Sequence, residues 1–265
     1  MTSPPVTTPA ERHYLHALRT AELDGALGVL PPDFALRDAA VLEIGGADGH
    51  VAQLLAARSR QVKAVDVAVP AAPLFPVQRY DGHRLPFPDG AFDLVYSSHV
   101  MEHVAHFDAF QAEVMRILRP GGLALHVVPT AAWRFWTLVA HYPALPKLVA
   151  NRLRGPMAGQ GDPDAARPAR RGPWHAAMRL AAAAPHGETG TALQELRHFS
   201  LRDWRRRFRA CGWQLVECRS LGLFYSGYML AAGRLSMPAR RRIAALAGAS
   251  SGCLLLAPPA GRAGQ

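Results

Sequence analysis

The chain has 265 residues, 49% of them apolar, which is enough for one α/β domain with a sizeable core plus an insertion and too little for two ordinary domains. Three cysteines (Cys211, Cys218, Cys253) cannot all pair within the chain and form no C-x-x-C, so they suggest neither a disulfide framework nor a zinc ribbon, and a reducing cytoplasm is expected. The formal charge of +10 is high for a small-molecule enzyme and predicts attraction to nucleic acid, a phosphorylated substrate or an acidic membrane surface, whereas no apolar run reaches the ~18 residues of a spanning helix and Met1 to Pro9 lacks the order of a signal peptide.

Residues 1–9, with three prolines, are expected to be a disordered tail before a single domain over 10–265. From Glu11 to Leu30, Leu15, Leu18, Leu23, Ala26 and Leu27 recur at helical spacing until Pro31-Pro32 stops them. Val41, Leu42 and Ile44 then supply a short buried strand running into a glycine-rich turn. Gly45, Gly46 and Gly49 let the backbone turn tightly and approach a ligand, and the turn delivers the free N–H groups of a helix over His50 to Ser59. A second strand, Gln61 to Asp66, ends in an acid about 20 residues after the first glycine, where nucleotide-binding α/β folds place an acceptor for ribose hydroxyls. Turn and acid together point to a nucleotide-type cofactor.

Pro70, Pro73 and Pro76 exclude a helix before a third strand near Val77 to Tyr80, which leads to Asp81-Gly82. Phe92 to Ser98 is a fourth strand. Ser97 and Ser98 fall at its carboxyl end, the side on which open parallel sheets bind ligands. A helix over Asp108 to Leu118 follows, stopped by Arg119-Pro-Gly-Gly122, and Leu123 to Val128 is a fifth strand in which His126 reads as a packed side chain.

Between about 131 and 195 the pattern loosens into an aromatic, basic insertion. Its first part is apolar but interrupted by Pro143 and Pro146, and a long Arg/Gly/Pro-rich connection runs from Arg152 to Pro173. Such an insertion after the fifth strand can fold over the strand ends as a substrate lid. Ser200 then caps a helix ending at Gly212, with Leu201, Trp204, Phe208 and Cys211 on its buried face. A strand over Trp213 to Arg219, an aromatic loop or strand over Leu221 to Tyr228, a basic helix over Pro238 to Leu246 and a last strand over Cys253 to Ala257 complete the chain.

Three motifs, Glu43-Ile-Gly-Gly-Ala-Asp-Gly49, Tyr80 to Ser98 and Met115-Arg-Ile-Leu-Arg-Pro-Gly-Gly-Leu123, resemble in order and spacing the class I S-adenosylmethionine-dependent methyltransferases, in the branch related to the quinone-biosynthesis methyltransferases. The resemblance covers about residues 38 to 130. It implies a Rossmann-like α/β fold: a seven-stranded, mostly parallel sheet with helices on both faces, five strands parallel and the last against its neighbours. It further implies S-adenosylmethionine as cofactor, held by Glu43, Gly45, Gly46, Gly49, Asp66, Asp81, Gly82 and Ser97 beneath the leading helix, with Asp81-Gly82 beside the adenine. Ala47 stands where the middle glycine is usual, and a shifted backbone path is expected there.

His99-x-x-Glu102-His103 has the form of an inverted zinc-protease signature. It sits directly after a parallel strand and before a capped helix, where similar Glu-His pairs occur in this branch without metal, so no metal is expected. A short-chain dehydrogenase shares the glycine turn and the acid but needs Tyr-x-x-x-Lys, which is missing. No recognised nucleic-acid-binding motif is present; an RNA-directed methyltransferase or a basic nucleic-acid-binding protein is the alternative that the charge supports. The expected reaction is metal-independent methyl transfer, O-methylation favoured, to a small or lipid- or nucleotide-linked acceptor, with His186, Glu188, Glu195 and His198 the polar groups expected nearest the substrate entrance and His186 and His99 as candidate bases. Aromatic residues beside arginines over 133–154 suggest peripheral contact with an anionic membrane.

Overall fold

The structure is a computed structural model and describes residues 8–153, 186–187, 191, 193–227 and 234–259. The expected disorder of residues 1–7, most of the Arg/Gly/Pro-rich connection and Glu188 lie outside the described residues.

The apolar runs pair into one sheet, made of β1 (Ala40–Ile44), β2 (Gln61–Asp66), β3 (Gln78–Arg79), β4 (Phe92–Ser98), β5 (Leu118–Pro129), β6 (Gln214–Ser220) and β7 (Ser251–Ala257) in the order β3-β2-β1-β4-β5-β7-β6. β1 pairs in parallel with β2 and β4, and β2–β3 and β4–β5 are also parallel. β7 runs against both β5 and β6, the one reversed strand that was expected. The carboxyl ends of β1 and β4 lie side by side where the strand order reverses, the position at which an open α/β sheet takes a ligand. All five residues of β1 are buried, because helices cover both faces.

The helices are α1 (Pro9–Leu27), α2 (His50–Ala56), α3 (Phe107–Ile117), α4 (Ala131–Leu153), α5 (Gln194–His198), α6 (Leu201–Ala210) and α7 (Met237–Ala247). One core joins Leu42, Val95, Phe110, Val114, Trp204 and Phe208 on one side of the sheet. The other joins Val41, Leu55, Leu94, Tyr96, Leu125 and Leu255.

α1 begins earlier than the apolar pattern predicts. The Thr8 hydroxyl accepts from Glu11 N at 3.2 Å while the Glu11 carboxylate accepts from Thr8 N at 3.0 Å, a capping box with Pro9 in the first turn, so Thr8 and Pro9 do not belong to a tail. In α6, Ser200 caps as expected and Trp204 and Phe208 are fully buried, whereas Leu201 and Cys211 are only partly so. β5 starts at Leu118, with a register shift opposite Phe92 and Leu94 that absorbs Arg119-Pro-Gly-Gly122.

α4 corrects the sequence reading. Pro143 and Pro146 were expected to break the segment, yet one helix runs from Ala131 to Leu153. Its first half is anchored before either proline: Trp133, Arg134, Ala140 and His141 are buried, and Trp136 Nε1 donates to Ala247 O at 2.9 Å. Tertiary packing here outweighs a proline penalty of about 3 kcal/mol. α5, a single short helix, had no periodicity to announce it. Among the described residues no helix is long and apolar enough to cross a membrane.

Candidate active site

The glycine turn after β1 is shaped first by its own chain. Gly45 and Gly49 have φ of 81° and 83°. A Cβ on Gly45 would lie 2.2 Å from Val100 Cγ2, and one on Gly49 would lie 2.6 Å from Phe75 N. The close approach anticipated for a ligand is thus made at these two positions by neighbouring chain segments. Ala47 sits inside the turn. It takes a left-handed φ of 45° itself, a conformation unfavourable for an L-residue, and is held there because its amide donates to Asp66 Oδ2 at 2.8 Å.

Asp66 stands at the carboxyl tip of β2, partly exposed, with its second oxygen accepting from Ala68 N at 3.0 Å. Glu43 lies beneath the turn, 3% exposed, and its Oε2 receives no hydrogen bond. Burial pushes the Glu43 carboxyl up to about 8 against the Ala52 amide, which favours the charged form. Asp81 Oδ1 accepts from His83 N at 2.8 Å and Arg84 N at 2.9 Å, bonds that hold its carboxyl below the ordinary range, while Gly82 takes φ of 82°. These groups fit S-adenosylmethionine: an acid at the β2 tip can accept from ribose hydroxyls, and the orphaned Glu43 oxygen offers a partner to a donor above the turn. Bound there, the cofactor supplies an electrophilic methyl group on a sulfonium.

α1 crosses this region. His16 stacks on His50 with ring centres 4.0 Å apart, and His16 Nε2 meets Asp48 Oδ2 at 2.7 Å. The leading helix therefore touches the glycine turn. Ser97, by contrast, is not placed to hold a cofactor with its side chain: it is fully buried and its hydroxyl pairs with His126 Nδ1 at 2.8 Å. His126 stacks on Phe208, and burial pushes its imidazole down to about 3.

Directly after β4, His99 has φ of 55° while its amide donates to Val127 O at 2.9 Å. Its Nε2 lies 3.0 Å from the Tyr225 hydroxyl and 3.4 Å from Glu22 Oε1, and its Nδ1 lies 3.5 Å from Glu102 Oε1. Burial and Arg19 push the imidazole down, but Glu22 and Glu102 prevail and hold it above its usual range. Glu22 is fully buried; Arg19 and His99 overcome the desolvation and keep its carboxyl well below the ordinary range. Glu22, Arg19 and Tyr225 escaped the sequence reading. A signal for Glu22 was present, since Leu18, Glu22 and Ala26 recur every four residues and put a charge on the apolar stripe of α1.

Residues 101–103 form a 3-10 turn, so His99 and His103 do not share the face of an α-helix. The fold instead brings in His186. Its Nε2 lies 4.0 Å from Glu102 Oε1, and its ring meets His103 and Trp133 at 4.9 and 4.7 Å between centres. Desolvation beside these rings pushes the His186 imidazole down to about 4. Glu195, expected near the substrate entrance, is fully buried and accepts from His186 N at 2.7 Å, while Arg134 Nε lies 2.7 Å from its other oxygen. On the other side of Tyr225, whose hydroxyl bonds His99 and Glu22, Trp136, Ala140, Phe224, Tyr225 and Arg240 line a largely apolar cavity of about 220 Å³ between α4, the loop after β6 and α7.

Comparison with known proteins agrees with this geometry. A methyltransferase-domain family model matches residues 14–218. The chain is 28% identical over 129 residues to the ubiquinone/menaquinone biosynthesis C-methyltransferase UbiE of Cupriavidus metallidurans, covering 49% of this chain and 50% of that one. It is 36% identical over 107 residues to a probable S-adenosylmethionine-dependent methyltransferase of Mycobacterium tuberculosis, covering 38% of each. The chain thus spans about half the length, or less, of these curated relatives. Among solved structures, an S-adenosylmethionine-dependent methyltransferase from Mesorhizobium loti matches with TM-score 0.51 at 13% identity, covering 89% of this chain and 97% of that one, a likeness of fold. With the glycine turn, the β2 acid and the β3-β2-β1-β4-β5-β7-β6 sheet in place, the chain belongs to the methyltransferase-domain family, with the Rossmann-like fold of its class I members, and about half of it is similar to quinone-biosynthesis methyltransferases.

Proposed function

We propose that the enzyme methylates a hydroxyl of an amphiphilic acceptor, lipid- or nucleotide-linked or a small metabolite, that enters beside α4. The observation that carries this reading is His186, whose Nε2 lies 4.0 Å from Glu102 Oε1 just beyond the carboxyl end of β4, against the ring of Trp133 on α4. An oxygen nucleophile must lose its proton as it attacks the methyl group. An imidazole held at about 4 is neutral near pH 7 and has a free lone pair for that proton. His99, held above its usual range between two carboxylates, is suited to donating a hydrogen bond and holding Glu102 and Tyr225 in place. Apart from that proton, the work of the chain is to orient the reactants and exclude water, which is worth about 7–11 kcal/mol.

Carbon methylation is the second reading, favoured by the similarity to the C-methyltransferase of Cupriavidus metallidurans. Incubation with methyl-labelled cofactor and a panel of phenolic, quinol and glycolipid acceptors, followed by mass spectrometry, separates the two. An O-methyl product lost in His186→Ala supports the first reading; a C-methyl product overturns it.

The anionic or membrane-borne nature of the acceptor is supported by surface chemistry. Trp133 is 4% exposed and Trp136 bonds Ala247, so these two tryptophans are not available to insert into lipid, contrary to the sequence reading. Phe135, Val139 and Tyr142 instead form an exposed stripe on α4, with Leu246, Arg241 and Arg242 exposed on α7. Flotation with anionic vesicles, abolished by Phe135→Asp/Tyr142→Asp, would support peripheral attachment; no flotation by the wild type would remove it.

A further inference from the structure

Glu102 has more ligand capacity than methyl transfer uses. It is 5% exposed, and its carboxylate makes long ion-pair contacts to His99 and His186 but no hydrogen bond of ordinary length. The neighbouring ring nitrogens are His99 Nδ1 at 3.5 Å and His186 Nε2 at 4.0 Å from Oε1. A buried carboxylate with only long ion-pair contacts has capacity for a further cation, and Oε2 faces none of the partners named. Glu102, His103 and His186 each offer one ligand atom, and these atoms lie within 4.8 Å of one another.

The group is braced from behind. Glu195 Oε1 accepts from His186 N at 2.7 Å and Gly187 N at 2.6 Å, and Arg134 Nε lies 2.7 Å from Glu195 Oε2. A Cβ on Gly187 would lie 2.9 Å from the Glu102 carbonyl oxygen, so glycine lets the segment bearing His186 press against the turn bearing Glu102 and His103. On the other side, His99 ties Glu102 to Glu22 and Tyr225. Contacts of this kind orient ligands in metal sites and tune their affinity.

We propose that Glu102, His103 and His186 bind a single divalent transition-metal ion of the zinc type. Two imidazoles and one carboxylate suit zinc, cobalt or iron, whereas calcium and magnesium demand oxygen donors alone. Donor atoms sharing a tetrahedral zinc stand about 3.3–3.5 Å apart, so side-chain adjustments of about an ångström close the set. Three protein ligands leave a fourth position for solvent or an acceptor oxygen. The pairing differs from the His99-x-x-Glu102-His103 signature in the sequence: His99 supports the carboxylate, and the third ligand comes from His186. The proposal does not rest on the acceptor reading, and it changes one step of it: a metal-bound His186 nitrogen has no lone pair for a proton, so with the ion in place the acceptor hydroxyl would be made acidic by binding at the fourth position instead.

The test is equilibrium dialysis of the chelator-stripped, full-length chain against zinc, with bound metal measured by mass spectrometry, and the visible absorption of the cobalt-substituted protein as a report on coordination. One ion per chain is expected. His103→Ala, His186→Ala and Glu102→Gln should each weaken binding by about 100-fold or more and erase the cobalt bands, while His13→Ala, an exposed histidine of α1, should change nothing. Calorimetric binding of S-adenosylmethionine by the same variants reports the fold and the cofactor site separately. Substoichiometric zinc in the wild type, or one ion retained by all three variants, would overturn the proposal whether or not the cofactor binds.

Discussion

On the cofactor side of the carboxyl edge, Glu43, the glycine turn, Asp66 and Asp81 come from consecutive segments and are fixed largely by backbone conformation and short-range bonds such as Ala47 N to Asp66. On the acceptor side, Glu22, His99, Glu102, His186, Glu195 and Tyr225 meet from distant parts of the chain. His99 and Glu22 are 77 positions apart, Tyr225 and His99 126, and Tyr225 and Glu22 203. The first arrangement is a local loop whose glycines are fixed by backbone conformation and close packing but whose acids can be replaced one contact at a time. The second is a buried polar assembly in which removing one partner leaves another desolvated and unpaired. Cofactor affinity and catalysis should therefore separate under mutation.

The largest expected effect tests that separation directly: His186→Ala should lower kcat by about 10²- to 10⁴-fold, the range for loss of a general base, with S-adenosylmethionine affinity unchanged by calorimetry. A parallel fall in cofactor affinity would mean that the two sides are coupled. Glu195→Ala removes one partner of the buried pair with Arg134 and should destabilise the fold by about 3–5 kcal/mol in urea titration. A loss below about 1 kcal/mol would place this pair with ordinary surface ion pairs.

On the cofactor side, Asp66→Ala should weaken S-adenosylmethionine by about 10- to 150-fold, the worth of a charge-assisted hydrogen bond of about 1.5–3 kcal/mol. Glu43 gives a pH signature. Its folded pKa of about 8 lies above the ordinary 4.5, so its contribution to stability is full below about pH 4.5 and is lost as pH rises through 8. Glu43→Gln should thus gain stability over the wild type progressively between these pH values, and thermal melts showing a constant difference would contradict the burial argument. Smallest of all, Ala47→Gly should stabilise the apo protein by about 0.5–1 kcal/mol, since glycine adopts the left-handed φ of 45° without strain but loses more entropy on folding.

The same comparison explains what was legible. Strand runs, the glycine turn, Asp66 after β2 and the Ser200 cap carry their signal within a few residues, so the sheet and most of the cofactor side could be read directly. α4 was misread because its prolines are a local signal against a helix whose anchor is long-range: buried Trp133 and the Trp136 bond to Ala247. The direction of the Ser97 hydroxyl was not legible, because position at a strand end does not say which way a side chain turns, and His126 on the adjacent strand pairs with it.

By itself the sequence determined the α/β architecture, the boundaries of most strands and the glycine turn with an acid at the tip of β2, because periodicity, turn chemistry and capping act over one or two turns of chain. Tertiary structure alone decided that Glu22 and Tyr225 meet His99, that Glu195 and Arg134 brace His186, and that His186 joins Glu102 and His103. The physical reason is that a buried charge is tolerable only opposite a partner, and a partner supplied from more than a hundred residues away leaves no trace in local spacing.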